Sequence, residues 1–109
     1  MKVQFISLKS NAIEVIEDRS FLNLTLLEEL NLSFNHLYTF NSEAFVNLLN
    51  FGRLNLESNR ITSLQTGSLV VFRKDHSVLN IKYNELTYIN RHFLDGMNAT
   101  NVELHLDEN

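Results

Sequence analysis

Leu27-Glu28-Glu29-Leu30-Asn31-Leu32-Ser33-Phe34-Asn35-His36-Leu37 sets apolar residues at fixed intervals around a single asparagine, Asn35. The same arrangement recurs in both directions along the 109-residue chain. Asn11, Asn35, Asn59, Asn84 and Asn109 follow one another at intervals of 24, 24, 25 and 25 residues. Aligned on them, the position five before reads Ile6, Leu30, Leu54, Leu79 and Leu104, and three before reads Leu8, Leu32, Leu56, Ile81 and Leu106. Two after stand Ile13, Leu37, Ile61 and Leu86, and five after stand Ile16, Phe40, Leu64 and Ile89. Ten after stand Phe21, Phe45, Leu69 and Leu94, and thirteen after stand Leu24, Leu48, Phe72 and Met97. With 44% of the chain hydrophobic, such agreement does not arise by chance. A fixed period in this range marks a repeat architecture.

Each column has a physical reading. Alternation at minus five and minus three is period two, the mark of a short strand with one buried face. The asparagine follows, where the chain must turn, and its side chain holds both a donor and an acceptor. Stacked in successive turns, Asn11, Asn35, Asn59, Asn84 and Asn109 are expected to satisfy backbone groups that the turns leave unpaired. The later columns return apolar side chains to the interior. Only the position eight before drifts, reading Val3, Leu27, Phe51, His76 and Asn101. It fails where the period grows by one, so an extra residue near Asp75 and another near Thr100 predict a bulged loop before those strands.

The pattern resembles the leucine-rich repeat family, in its typical extracellular subtype with a convex-side phenylalanine. Residues 27–37 fit the core motif throughout, and Phe45 and Leu48 continue it. The resemblance spans residues 1–109 as one repeat domain, about four full repeats and a partial fifth. It implies an α/β solenoid, a right-handed superhelix with a short parallel concave sheet and irregular convex loops. Toll-like receptor and adhesion-protein ectodomains are its nearest settings, which implies roles in innate immunity or cell adhesion. Extracellular members usually close each end with a cysteine-rich cap, and this chain has no cysteine. It is therefore expected to be a segment of a longer repeat protein, with end-to-end self-association as the alternative, since uncapped repeats expose apolar surface.

Bulk properties narrow the partners. A formal charge of -4 argues against nucleic acid and anionic membranes. No apolar run approaches the ~18 residues of a membrane span, so no direct membrane contact is expected, and residues 1–8 are too polar for a signal peptide. Asn23-Leu24-Thr25, Asn31-Leu32-Ser33 and Asn98-Ala99-Thr100 are acceptor tripeptides for N-glycosylation. Together with the subtype they favour a secreted or cell-surface origin, the export signal lying outside this chain. Asn31, which projects from the concave face, is the least suited of the three.

No phosphate loop, nucleophile elbow or zinc-protease motif occurs, and no cofactor, metal site or catalytic residue is expected. His36, His76, His92 and His105 fall at different phases of the repeat. His105, Asp107 and Glu108 are close in sequence but read as a solvated acidic end. The outward positions instead offer a surface for a protein ligand. Phe34 and Tyr83 would be aromatic anchors, and Arg53, Glu57 and Lys82 charged partners, residue types that dominate binding energy at interfaces. The plainer reading is that these residues only keep the face soluble. Asn55 belongs to the same face, although Asn31, Asn55 and Asn80 are better explained as a polar ladder between strands. The function expected is non-catalytic recognition on the concave face. The alternatives are a structural or self-assembling segment and an intracellular repeat scaffold.

Overall fold

The computed structural model describes residues 2–97 and 100–109. Each repeat begins with a short strand: β1 (Phe5–Ser7), β2 (Glu29–Asn31) and β3 (Arg53–Asn55). The return side of the third repeat then adds β4 (Ser63–Leu64), followed by β5 (Ser77–Asn80), β6 (Tyr88–Ile89) and β7 (Val102–His105). The main sheet is wholly parallel in the order β1-β2-β3-β5-β7, so every return passes over the same side and the chain winds as a solenoid. Its register is the repeat alignment itself. Ile6, Leu30, Leu54, Leu79 and Leu104 pair in sequence across the sheet, and so do Ser7, Asn31, Asn55, Asn80 and His105.

Strands of three or four residues make few ladder bonds, so the turns after them must hold the repeats together. Asn59 shows how. Its Nδ2 donates to Leu56 O (3.0 Å) in its own repeat and to Leu32 O (3.0 Å) in the repeat before, while its Oδ1 accepts from Leu37 N (2.9 Å). Asn35 and Asn84 repeat this pattern and are likewise buried. Asn109 makes the same bonds at the exposed end. Among the described residues, Asn11 bonds only to Leu8 O and Lys9 O of its own repeat. Among the described residues, no buried side-chain nitrogen or oxygen lacks a partner.

Inside the coil, Leu30, Leu32, Leu54, Leu56, Leu79 and Ile81 are buried, while Ile6, Leu8, Leu104 and Leu106 are only partly so. That gradient is what stacking produces, because each repeat covers its neighbour. An aromatic row runs through the middle: Phe21 stacks on Phe45 (5.7 Å between centroids), Phe45 on Phe51 (5.4 Å) and Phe51 on Phe72 (5.9 Å). Offset rings at such spacing add about 0.5–1.5 kcal/mol per pair beyond the area they bury.

The return side contains no α-helix among the described residues. It holds two 3-10 turns, η1 (Ser42–Phe45) and η2 (Ser68–Val71), and the small parallel pair β4–β6. Asn41 caps η1 by accepting from Glu43 N and ties it to the preceding repeat through Ile16 O. Gly67 opens η2 at φ 69°, a left-handed position that glycine takes without strain.

Leu94 departs from the sequence reading, while the loop at Asp75 agrees with it. In the fourth repeat Leu94 is 46% exposed, and Phe93, one residue earlier, packs against the core instead. At the lengthened repeats, a turn at Asp75 and His76 absorbs the extra residue, His76 taking φ 61°. Buried Ser77 then replaces His76 as the inward residue, and Val102 replaces Asn101. The two longer loops bond to each other, Asp75 Oδ1 accepting from Thr100 N (3.1 Å) and Thr100 Oγ1 (2.7 Å). These bonds, the hydroxyl first, hold the Asp75 carboxyl below the ordinary carboxylate value.

Replacing Asn59 by alanine strands the buried N–H of Leu37 and leaves Leu32 O and Leu56 O each with one amide donor in place of two, so it is expected to cost about 2–4 kcal/mol. Asn11→Ala is expected to cost less than about 1 kcal/mol, because water reaches that end. Urea unfolding of the two variants beside the parent chain checks the order, and equal losses would refute it.

Candidate ligand face

The sheet exposes one row of side chains on each side of its buried leucines. Phe5, Glu29, Arg53, Val78 and Glu103 form the first row, and Ser7, Asn31, Asn55, Asn80 and His105 the second. Between them lies an open hollow of about 290 Å³, with Leu30 and Leu54 at its floor. Arg53 reaches toward Glu29 across one strand spacing (3.9 Å), and His105 Nε2 lies 3.3 Å from Glu103 Oε2. Both pairs are exposed, where ion pairs contribute little, about 0–1 kcal/mol. Lys82 also lines the hollow and has no carboxylate within ion-pair distance among the described residues.

The asparagines of the second row do not form the ladder expected between strands. Each turns back on its own chain. Asn31 Oδ1 accepts from Ser33 N (3.0 Å) and Ser33 Oγ (2.7 Å), Asn55 Oδ1 from Glu57 N (3.0 Å), and Asn80 Oδ1 from Lys82 N (3.1 Å). Such local bonds suit asparagine at a strand end, where the next backbone N–H points outward. Their consequence is directional. With each oxygen engaged, the amide nitrogens are the free ends, and among the described residues none of the three donates to a protein acceptor.

The structure places the other sequence candidates beyond the strands rather than on them. Glu57 and Lys82 are half-buried in the turn, and their counterpart Ser33, expected to face outward, is buried with its hydroxyl on Asn31. Phe34 and Tyr83 stand at the turn's rim, 49% and 55% exposed. Their column is left-handed throughout: Ser10, Phe34, Ser58, Tyr83 and Glu108 take φ between 56° and 60°. The backbone imposes this, since Phe34 N donates to Glu57 O, Ser58 N to Lys82 O and Tyr83 N to Asp107 O. Nothing in the sequence pattern signalled that constraint, because serine, phenylalanine and tyrosine are not residues that favour positive φ. Lys9 Nζ sits 5.5 Å from the centre of the Phe34 ring, a cation–π contact. Phe34 and Tyr83 therefore belong to a rim separate from the hollow that Arg53, Asn55 and Lys82 line.

Of the acceptor asparagines, Asn23 is exposed in a turn at φ 76°, followed by exposed Thr25. Asn31 is half-buried, and the serine of its tripeptide is buried. Asn98 lies outside the described residues. Among the described residues, no three histidine, aspartate or glutamate side chains converge in metal-binding geometry, and no helix is long and apolar enough to cross a membrane.

A family model described as leucine rich repeat matches residues 2–61, more than half of the chain. The chain belongs to the leucine-rich repeat family. No curated protein matches it by sequence. Among solved structures, it is similar to the Toll-like receptor TLR13 in the crystal structure of the TLR13–ssRNA13 complex, with a TM-score of 0.81 and 25% identity. That match covers 96% of this chain but spans only 15% of the receptor chain. The leucine-rich repeat solenoid and its likeness to the Toll-like receptor kind are thus shown, and proteins of this fold are generally non-catalytic. The expectation drawn from charge, that no nucleic acid binds, finds no support here, because this relative was crystallised with single-stranded RNA.

A bulky residue held at positive φ costs on the order of 1 kcal/mol, which asparagine largely avoids. Tyr83→Asn is expected to raise stability in urea by about 0.5–1 kcal/mol. A fall instead would show that the ring stabilises the fold by packing.

Proposed function

We propose that residues 1–109 form one repeat domain acting as a non-catalytic recognition module of a secreted or cell-surface protein, its protein ligand bound on the concave face. The observation supporting this is the row of three oriented amide donors at Asn31, Asn55 and Asn80, lining one hollow with Arg53 and Lys82. Donors fixed before binding lose little entropy when a ligand arrives. Glu57 borders that row, and Phe34 and Tyr83 supply apolar contact at the rim for a ligand wide enough to reach it.

A second reading, single-stranded RNA on the same face, is favoured by the likeness to the TLR13–ssRNA13 complex. Charge weighs against it. The sheet rows and the turns beside them hold Glu29, Glu57, Glu103, Asp107 and Glu108 against Lys9, Arg53 and Lys82, and polyanion binding depends on neutralising phosphates. Self-assembly and an intracellular scaffold role rank behind both.

Selecting peptides from a displayed random library on the purified chain separates these readings. Arg53→Glu is expected to weaken the selected peptides about tenfold, the scale of losing one charge-assisted contact, while Thr62→Lys on the return side leaves them unchanged. Loss through Thr62→Lys alone, or tighter binding of a 13-nucleotide RNA than of any peptide at physiological salt, would overturn the protein-ligand reading.

Glycosylation supplies the test of compartment. On secretion from eukaryotic cells, intact mass before and after deglycosylation is expected to show sugar at Asn23, with Asn98 the second candidate and Asn31 bare. A secreted, folded chain without sugar would remove the main support for a cell-surface origin.

A further inference from the structure

We infer that the hollow takes an uncharged polyproline-II segment of a protein ligand, lying across the strands with its carbonyl oxygens on the asparagine row. This rests on the concave-face reading and names the ligand's chemistry. The hollow offers donors and very little net charge. Asn31, Asn55 and Asn80 present amide N–H groups whose orientation is fixed by the engaged Oδ1 atoms. Glu29 and Arg53 largely offset each other, which leaves Lys82 as the one lining cation without a partner among the described residues. A complementary ligand is a neutral chain rich in acceptors. Phe5, 56% exposed, and Val78 add apolar contacts along the opposite wall.

Spacing selects the ligand's conformation. Asn31 and Asn80 are separated by one strand, β3, and thus by roughly 9.5 Å, two strand spacings. A polyproline-II chain rises ~3.1 Å per residue with three residues per turn, so every third carbonyl points the same way at about 9.3 Å. A β-strand laid across the face repeats its same-side carbonyls at about 6.6–6.8 Å and would fall out of step. The polyproline-II backbone also makes no internal hydrogen bonds, which leaves its carbonyls free to accept. Asn31 and Asn80 meet carbonyls in phase, and Asn55 faces the turn between them. An aromatic side chain beside such a track is the usual support for proline rings, and Phe5 stands there.

The test uses acetyl-decaproline amide, which carries no charge, titrated into isotopically labelled chain and followed by amide chemical shifts. Shifts are expected to centre on residues 29–31, 53–55 and 78–82. An acetylated glycine-serine decapeptide amide, equal in length but flexible, is expected to bind at least about tenfold more weakly. The variant N31D/N80D keeps the oxygens that accept from Ser33 N and Lys82 N but replaces both free donors by acceptors. It is expected to stay folded and to lose binding about tenfold or more, the scale of two neutral hydrogen bonds. Equal affinity of the two peptides, or unchanged affinity in N31D/N80D, would overturn the inference. So would failure of decaproline to bind while library-selected peptides still bind in an Arg53-dependent way, and in that case the concave-face reading survives alone.

Discussion

The hydrogen bonds of Asn35, Asn59 and Asn84 hold together what the leucines alone would leave sliding. Hydrophobic burial is non-directional, and a stack of similar apolar layers fixes neither the angle nor the register between them. Each asparagine bonds four backbone positions, three carbonyls and an N–H, distributed over two repeats. Because the groups are buried, leaving them unmade would be expensive, and the geometry tolerates little slip. The parallel register of the sheet, and with it every outward row, follows from those contacts.

The aromatic row from Phe21 to Phe72 acts inside the core. Its rings come from three different phases of the repeat: Phe21 and Phe45 ten after an asparagine, Phe51 eight before one and Phe72 thirteen after. A continuous column therefore forms from residues that the period alone does not align. The rigidity of the concave face thus rests on hydrogen bonds at the turn and on stacked rings behind it.

Much of this was legible in the sequence because the solenoid interior obeys a one-dimensional rule. Leu30, Leu54 and Leu79 share a phase, and they share a layer. The rule weakened where local chemistry competes with it. Leu94 has the right phase but yields to Phe93 in the last full repeat, where less is stacked above it. Asn31, Asn55 and Asn80 looked alike for a shared reason, yet the reason was a bond within each chain segment rather than one between neighbours. Side-chain direction of that kind is not encoded in spacing, so the donor row and its hollow emerged only from the fold. The pairing of Asp75 with Thr100 was half visible: the two added residues could be located, but not that they meet.

The left-handed column at Ser10, Phe34, Ser58, Tyr83 and Glu108 also limits which residues the rim can use. A backbone pinned near φ 57° excludes proline, whose ring fixes φ near −65°, and penalises valine, isoleucine and threonine, whose branched Cβ crowds that conformation. None of those four types occurs in the column. The rim is thus written in a reduced alphabet of unbranched, aromatic and small polar side chains, and it can diversify within that alphabet without disturbing the coil beneath it.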